Sequence, residues 1–186
     1  MKKFAVLFVV ALTVAGRAGS AATPDPPVKP RLEAASLGSI ERVHRFGGIW
    51  LAGQPSKEDL RLASEIGVRT VVNLRKTSEI DWDEKTAVEA LGMAYENFGF
   101  QQPEELTDAV FDGARKALAP ADGTPVLLHC SSANRVGAIW LAHRVLDDGL
   151  PYGDALVEAE TVGLKSSAFR DRAKAYIDRS AAARSR

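Results

Sequence analysis

The sequence predicts an α/β fold, with a single mainly parallel central sheet flanked by helices on both faces. Two observations carry this. Short β-branched or apolar runs alternate with segments of helical period, and strands separated by helices form a parallel sheet covered on both sides. The clearest run, residues 68–74, is apolar at most positions and bounded by turn signals, as a strand buried on both faces is. A third observation sets the limits of the domain: residues 1–35 do not share this pattern.

Residues 1–22 read as a secretory signal peptide. Lys2 and Lys3 form a positive start, an apolar run covers residues 4–15, and Ala18, Gly19, Ser20, Ala21 and Ala22 supply a small-residue exit. The apolar run is shorter than the roughly 20 residues a membrane span needs. Residues 23–35 contain Pro24, Pro26, Pro27 and Pro30 and read as a linker. The domain then occupies 36–186. The whole chain balances 24 basic against 24 acidic residues. Removal of the leader takes Lys2, Lys3 and Arg17 and no acid, leaving a net charge of −3. That balance gives no reason to expect nucleic acid or an anionic membrane as partner. The expected location is periplasmic or secreted, without stable membrane insertion once the leader is gone.

The elements follow in order. Residues 49–52 form a short strand, turned by Gly53, Gln54 and Pro55. Ser56 is an N-cap with Asp59 in capping-box position, and the helix that follows uses Leu60, Leu62, Ala63 and Ile66 before Gly67 stops it. After the strand at 68–74, a helix starts at Asp81 and ends at Gly92, and residues 93–98 form a strand. Thr107 caps a helix carrying Val110, Phe111, Ala114, Ala117 and Leu118, closed by Pro120. Residues 126–129 form a strand, a helix runs from Arg135 to Gly149, and two more helices cover 152–162 and 168–183. Sites in such sheets lie beyond the carboxyl ends of the strands. The loops that matter are therefore 53–56, 75–81, 99–107 and 130–135.

The last of these carries the chemistry. His129, Cys130, Ser131, Ser132, Ala133, Asn134 and Arg135 join a strand to a helix start. A helix N-terminus offers unpaired N–H groups and about half a positive charge. A tight loop around it aims several N–H groups at one anion, and Arg135 adds a planar fork of donors suited to a tetrahedral oxyanion. The same field favours Cys130 as thiolate, the nucleophilic form. A lone Cys after an apolar strand is by default an inert buried thiol. The polar Ser131 and Ser132 and the Arg at the helix start point the other way. Cys130 and Arg135 are the catalytic candidates, with Ser131, Ser132, Ala133 and Asn134 binding the substrate.

The segment 126–138 resembles the signature of protein tyrosine and dual-specificity phosphatases. It is most similar to a small bacterial phosphatase-like branch that is also found fused to beta-lactamase-like hydrolases. Gly53-Gln54-Pro55-Ser56, the run Gly67 through Arg75, and Glu79 resemble that branch's early motifs, so the likeness spans roughly residues 40–164. It implies hydrolysis of phosphoesters through a phosphocysteine. Three departures stand beside it. Tyrosine phosphatases usually place one residue more between Cys and Arg than the four found here. The shorter ring is similar to rhodanese-type sulfurtransferases and also occurs in the bacterial branch. Val136 stands where phosphatases usually have a hydroxyl, and Ala133 where the family often has Gly. The alternatives are a sulfurtransferase carrying a Cys130 persulfide and a non-catalytic anion-binding module. The substrate is accordingly phosphate-bearing or a sulfane-sulfur donor.

A phosphatase needs a general acid for the leaving oxygen. The resemblance places it on the loop 99–105, where Glu104 and Glu105 are the candidates, with Asp108 a weaker one. Glu105 and Asp108 also suit simple complementation of the helix start at Thr107. Arg75 is either a second anion ligand or a salt-bridge partner of Glu79. His129 is expected to point away from the pocket and orient the loop, and His143 to pack. With three His, one Cys and no ligand spacing, neither a metal nor an organic cofactor is expected.

Overall fold

The protein is described by a computed structural model covering residues 30–119 and 123–184. The expected leader, the expected linker as far as residue 29, and Pro120 lie outside the described residues. The chain forms β1 Leu32–Ala34, β2 Val43–Phe46, β3 Ile49–Ala52, α1 Lys57–Glu65, β4 Thr70–Asn73, α2 Glu84–Ala90, β5 Ala94–Asn97, α3 Asp108–Ala117, β6 Val126–His129, α4 Asn134–Leu146, α5 Tyr152–Val162 and α6 Ser167–Arg184. Single 3-10 turns occupy Thr77–Glu79 and Pro103–Glu105.

The sheet order is β1-β2-β3-β6-β4-β5. β3, β6, β4 and β5 are parallel, and β1 and β2 add to one edge as an antiparallel meander. Alternate strand residues feed two cores. Leu51, Val72, Val126 and Leu128 join residues of α3, α4, α5 and α6, while Ala52, Val71 and Leu127 join those of α1 and α2. Burial on both faces is what makes the central strands continuous apolar runs. α4 lies in the middle of its layer and is buried on nearly every side. Gly137 permits this, because a Cβ there would stand 2.7 Å from the Ala159 carbonyl oxygen and from Leu164.

The parallel core and its flanking helices are as the sequence indicates, and the sheet is mixed because of the meander. No sequence pattern marks β2. Its residues, Val43, His44, Arg45 and Phe46, are half polar and too few for alternation to stand out. Residues 32–34, read as the end of the linker, pair with β2 as an edge strand. The prolines stop at Pro30, and an edge strand needs a ladder on one side only. The helix expected from Asp81 begins at Glu84, capped by Asp83, whose carboxylate accepts the Thr86 N–H at 3.0 Å. The cap at Ser56 stands where expected: Ser56 Oγ accepts the Asp59 N–H at 3.2 Å, and Asp59 accepts the Ser56 N–H at 2.9 Å.

At the far end of α4, Asp147 accepts from Arg115 Nε at 2.8 Å and lies 3.0 Å from His143 Nδ1. Burial pushes the Asp147 carboxyl up, but His143 and Arg115 outweigh it and hold it at about 2. The folded value is thus below the unfolded value of about 3.9. The stability this provides is fully present above the unfolded value and is lost as pH falls through about 2. Thermal melts of Asp147→Asn are expected to show a loss on the order of 1–2 kcal/mol near neutral pH, after discounting for solvent screening. The variant's melting temperature should also fall less than the parent's between about pH 4 and 2.

Candidate active site

Three strands end in one row. His129 pairs with Ala52 of β3 on one side and with Asn73 of β4 on the other. The loops after β3, β4 and β6 therefore leave the sheet side by side. They are stitched together by Gln54 N–H to the Ser131 carbonyl at 3.1 Å and Leu74 N–H to the His129 carbonyl at 3.0 Å. Cys130 follows β6 and is 1% exposed.

The chain then turns through Ser131, Ser132 and Ala133 into α4. Ala133 has φ 65°, a left-handed conformation that a residue with a Cβ adopts at some cost. The backbone N–H groups of Ser131, Ser132, Ala133, Asn134, Arg135 and Val136 donate to no protein acceptor among the described residues. Such a row of N–H groups at a helix start is an anion-binding nest. Ser131 and Ser132 are exposed at its mouth, whereas Ala133 and Val136 are buried. Asn134 is partly committed elsewhere: its Oδ1 accepts the Lys165 N–H at 2.8 Å and the Ser166 N–H at 3.1 Å. This ties the loop to the α5–α6 connection.

Arg135 is 7% exposed and held as a fork. Nη1 donates to Glu79 Oε2 at 2.8 Å and Nη2 to Glu79 Oε1 at 3.0 Å, while Nη1 also reaches the carbonyls of Phe100 at 2.6 Å and Leu74 at 3.3 Å. Burial works against the guanidinium charge, and Glu79 with the adjacent Cys130 outweighs it, raising the Arg135 pKa. Glu79 is correspondingly held below the ordinary carboxylate range, chiefly by Arg135. From the sequence, Arg75 is the one partner expected for Glu79. Nothing in local spacing signals its partner 56 positions away.

Arg75 comes to the same place but is largely engaged. Nη1 donates to Gln54 Oε1 at 2.5 Å, Nη2 donates to the Glu79 carbonyl, and Nε lies 4.0 Å from Glu79 Oε1. Gln54 Nε2 in turn donates to Glu84 Oε1 at 2.8 Å. Glu84 is buried, accepts from Asn73 Nδ2 at 2.5 Å and lies 3.4 Å from His129 Nε2. Burial pushes the Glu84 carboxyl up, and His129, Gln54 and Tyr95 together hold it below its ordinary value. A continuous polar belt thus runs from Arg135 through Glu79, Arg75, Gln54 and Glu84 to His129. His129 is fully buried beside Cys130. In the sequence Glu84 falls inside the helix expected from Asp81, and Asn73 inside the run Gly67 through Arg75, with no individual role for either.

The remaining candidates sit on the loop before α3. Glu105 accepts from Lys76 Nζ and from the N–H groups of Gln101 at 2.7 Å and Gln102 at 3.1 Å. Led by Lys76, these contacts lower its pKa to about 2. Glu104 is exposed and makes no ion pair or side-chain hydrogen bond among the described residues. Asp108 is paired with Arg179 at 2.5 Å. No group of three or more His, Cys, Asp or Glu side chains is arranged to hold a metal among the described residues. None of their helices is long and apolar enough to cross a membrane.

The loop's shape depends on Gly163, whose φ is 146° and whose added Cβ would stand 3.1 Å from the Ala133 carbonyl carbon and Cβ. Gly163→Ala is expected to destabilise the fold by about 1–3 kcal/mol. It should also weaken the protection expected from inorganic phosphate for Cys130 against iodoacetamide. Melting curves and labelling of the folded variant measure the two effects separately.

No protein-family model and no curated protein matches the chain. Solved structures do. A DUF442 protein from Shewanella putrefaciens CN-32 is 18% identical with a TM-score of 0.66, over 77% of this chain and 95% of that one. Pseudomonas aeruginosa TpbA, as a cysteine-to-serine variant in complex with phosphotyrosine, is 22% identical with a TM-score of 0.62, over 83% of this chain and 91% of that one. Tk-PTP in its active form is 18% identical with a TM-score of 0.61, over 70% and 92%. With its Cys loop at the end of the central strand and its helices on both faces, this chain has the fold of the protein tyrosine and dual-specificity phosphatases.

Proposed function

We propose that the protein is an exported cysteine-dependent phosphatase that acts on phosphomonoesters through a phosphocysteine. The observation that carries this is the set of free N–H groups from Ser131 to Val136, closed by Cys130 at one end and the clamped Arg135 at the other. Donors fixed in advance around a tetrahedral oxyanion are the main requirement of phosphoryl transfer. TpbA was solved with phosphotyrosine, and the likeness of fold makes an aryl phosphate a suitable first substrate.

In this reading the Cys130 thiolate attacks phosphorus. The S–P bond forms as the bond to the leaving oxygen breaks, and a carboxylic acid protonates that oxygen. Water then attacks phosphorus, the S–P bond breaks, and the carboxylate takes the water's proton. Glu104 is assigned as the acid. Its side chain is free among the described residues, whereas Glu105 is tied down by Lys76 and two N–H groups and Asp108 is occupied by Arg179. Val136 places no hydroxyl beside Arg135, so breakdown of the intermediate is the slow step.

Cys130→Ser should abolish release of phosphate from an aryl phosphate. Glu104→Gln should lower kcat about 100-fold or more, with Glu105→Gln several-fold or less. Mass spectrometry of rapidly quenched wild type should find Cys130 heavier by one phosphoryl group. A persulfide on Cys130 after thiosulfate, with no phosphate released from any ester, would replace this reading with the sulfurtransferase.

Export rests on Lys2, Lys3, the apolar run and the small-residue exit. N-terminal sequencing of protein from its native compartment is expected to begin near Thr23. An intact Met1 in a membrane fraction would overturn the export reading.

A further inference from the structure

Beside the nest lies a polar cleft of about 290 Å³, lined by Ser39, Glu41, Arg42, Gln54, Ser131 and Ser132 among others. It is continuous with the mouth of the Cys loop, because Ser131 and Ser132 belong to both. Its outer wall is held in place. Gly38, at φ 55°, lies so close to Asp59 that an added Cβ would overlap the carboxylate. Asp59 is 2% exposed and accepts the Ser39 N–H at 2.7 Å and the Ser39 hydroxyl at 3.0 Å, besides the N–H and hydroxyl of Ser56. The carbonyl of Arg42 accepts the Gly53 N–H at 3.0 Å, tying the wall to the loop after β3.

Within this fixed wall Arg42 is half-buried as a residue, and its guanidinium has no ion pair or hydrogen bond among the described residues. Arg75 and Arg135, by contrast, are committed to Gln54 and Glu79. Glu41 also lines the cleft but is exposed and not paired with Arg42. A guanidinium with free donors in a polar cleft, next to a site for one phosphate, suits a second oxyanion.

We infer that Arg42 is a specificity-determining residue, and that the preferred substrate is a phosphomonoester carrying a second anionic group, carboxylate or phosphate, beside the one hydrolysed. The inference rests on the phosphatase reading and names the substrate class of the same site. The Cys loop holds the phosphoryl group that reacts. The cleft holds the second anion, and Ser131 and Ser132 are shared by the two. Binding in the cleft supplies orientation, which appears in kcat/KM for the doubly anionic substrate.

Two matched substrate pairs test this. One is a phosphotyrosine peptide with Glu or with Gln next to the phosphotyrosine, and the other is a sugar bisphosphate against its monophosphate. Wild type is expected to favour the more anionic member of at least one pair about 10-fold in kcat/KM, the ratio that one added charge-assisted contact can supply. The pair that responds identifies the source of the second anion. Arg42→Gln should bring that ratio to within about twofold of unity. Lys165→Gln removes another basic side chain near the loop that has no ion pair among the described residues, and it should leave the ratio standing. No preference in either pair, a preference that survives Arg42→Gln, or equal loss in both variants would overturn the inference.

A second readout needs no turnover and separates failure of the subsite from failure of the phosphatase reading. Pyrophosphate should protect Cys130 from iodoacetamide at lower concentration than orthophosphate does. Arg42→Gln should close that gap. Equal protection by the two anions in wild type counts against the subsite, whether or not esters are hydrolysed.

Discussion

The site is organised by the clamp on Arg135. A guanidinium this buried keeps its charge, and burying it is costly unless a partner meets its donors. Glu79 supplies that partner from a single 3-10 turn, and the carbonyls of Leu74 and Phe100 take further donors. One side chain thereby fixes the start of α4, the loop after β4 and the loop after β5 relative to one another. The remaining donor capacity of the guanidinium and the free N–H groups of the Cys loop are presented together. The proposed anion site is therefore set by buried contacts behind it rather than by the exposed Ser131 and Ser132 at its mouth.

Behind the loop, charges alternate. Arg135, Glu79, Arg75, Gln54, Glu84 and His129 form a chain in which each ionised group has a neighbour of opposite charge or a neutral amide. Gln54 has both ends in use, accepting from Arg75 and donating to Glu84, so the amide orientation is fixed by its neighbours. Alternation of this kind offsets the cost of placing several charges under a sheet end, while Arg75 Nε and both ring nitrogens of His129 are buried there without a hydrogen-bond partner. It also explains why the site is built where it is. Three strands finishing in one row bring Ala52, Asn73 and His129 level, and the belt runs along that row.

Much of this was legible in the sequence because it is local. The Ser56–Asp59 cap, the buried strand before Cys130 and the helix opening near Arg135 depend on residues within a few positions of one another. The Cys loop was legible for the same reason. What was not legible depends on contacts across the chain. Glu79 meets Arg135, and Glu84 meets His129, through folding alone. The second role of Asp59, pinning Ser39, is hidden behind its local role as a cap. β2 escaped because four half-polar residues carry too little period to distinguish them from loop. Ala133 shows the limit differently. The sequence showed an Ala where Gly is common in similar loops, and only the backbone shows that the residue is left-handed there and seated on Gly163.

Cys130 is the chain's one cysteine, and it lies in a closed loop at 1% exposure. Oxidised to a sulfenic acid, it has no second thiol in its own chain with which to form a disulfide. Return from that state by thiol chemistry is therefore bimolecular, and its rate depends on how readily a small external reductant reaches a nearly closed loop. The working lifetime of the thiol is set by the thiol supply of its surroundings as much as by the fold.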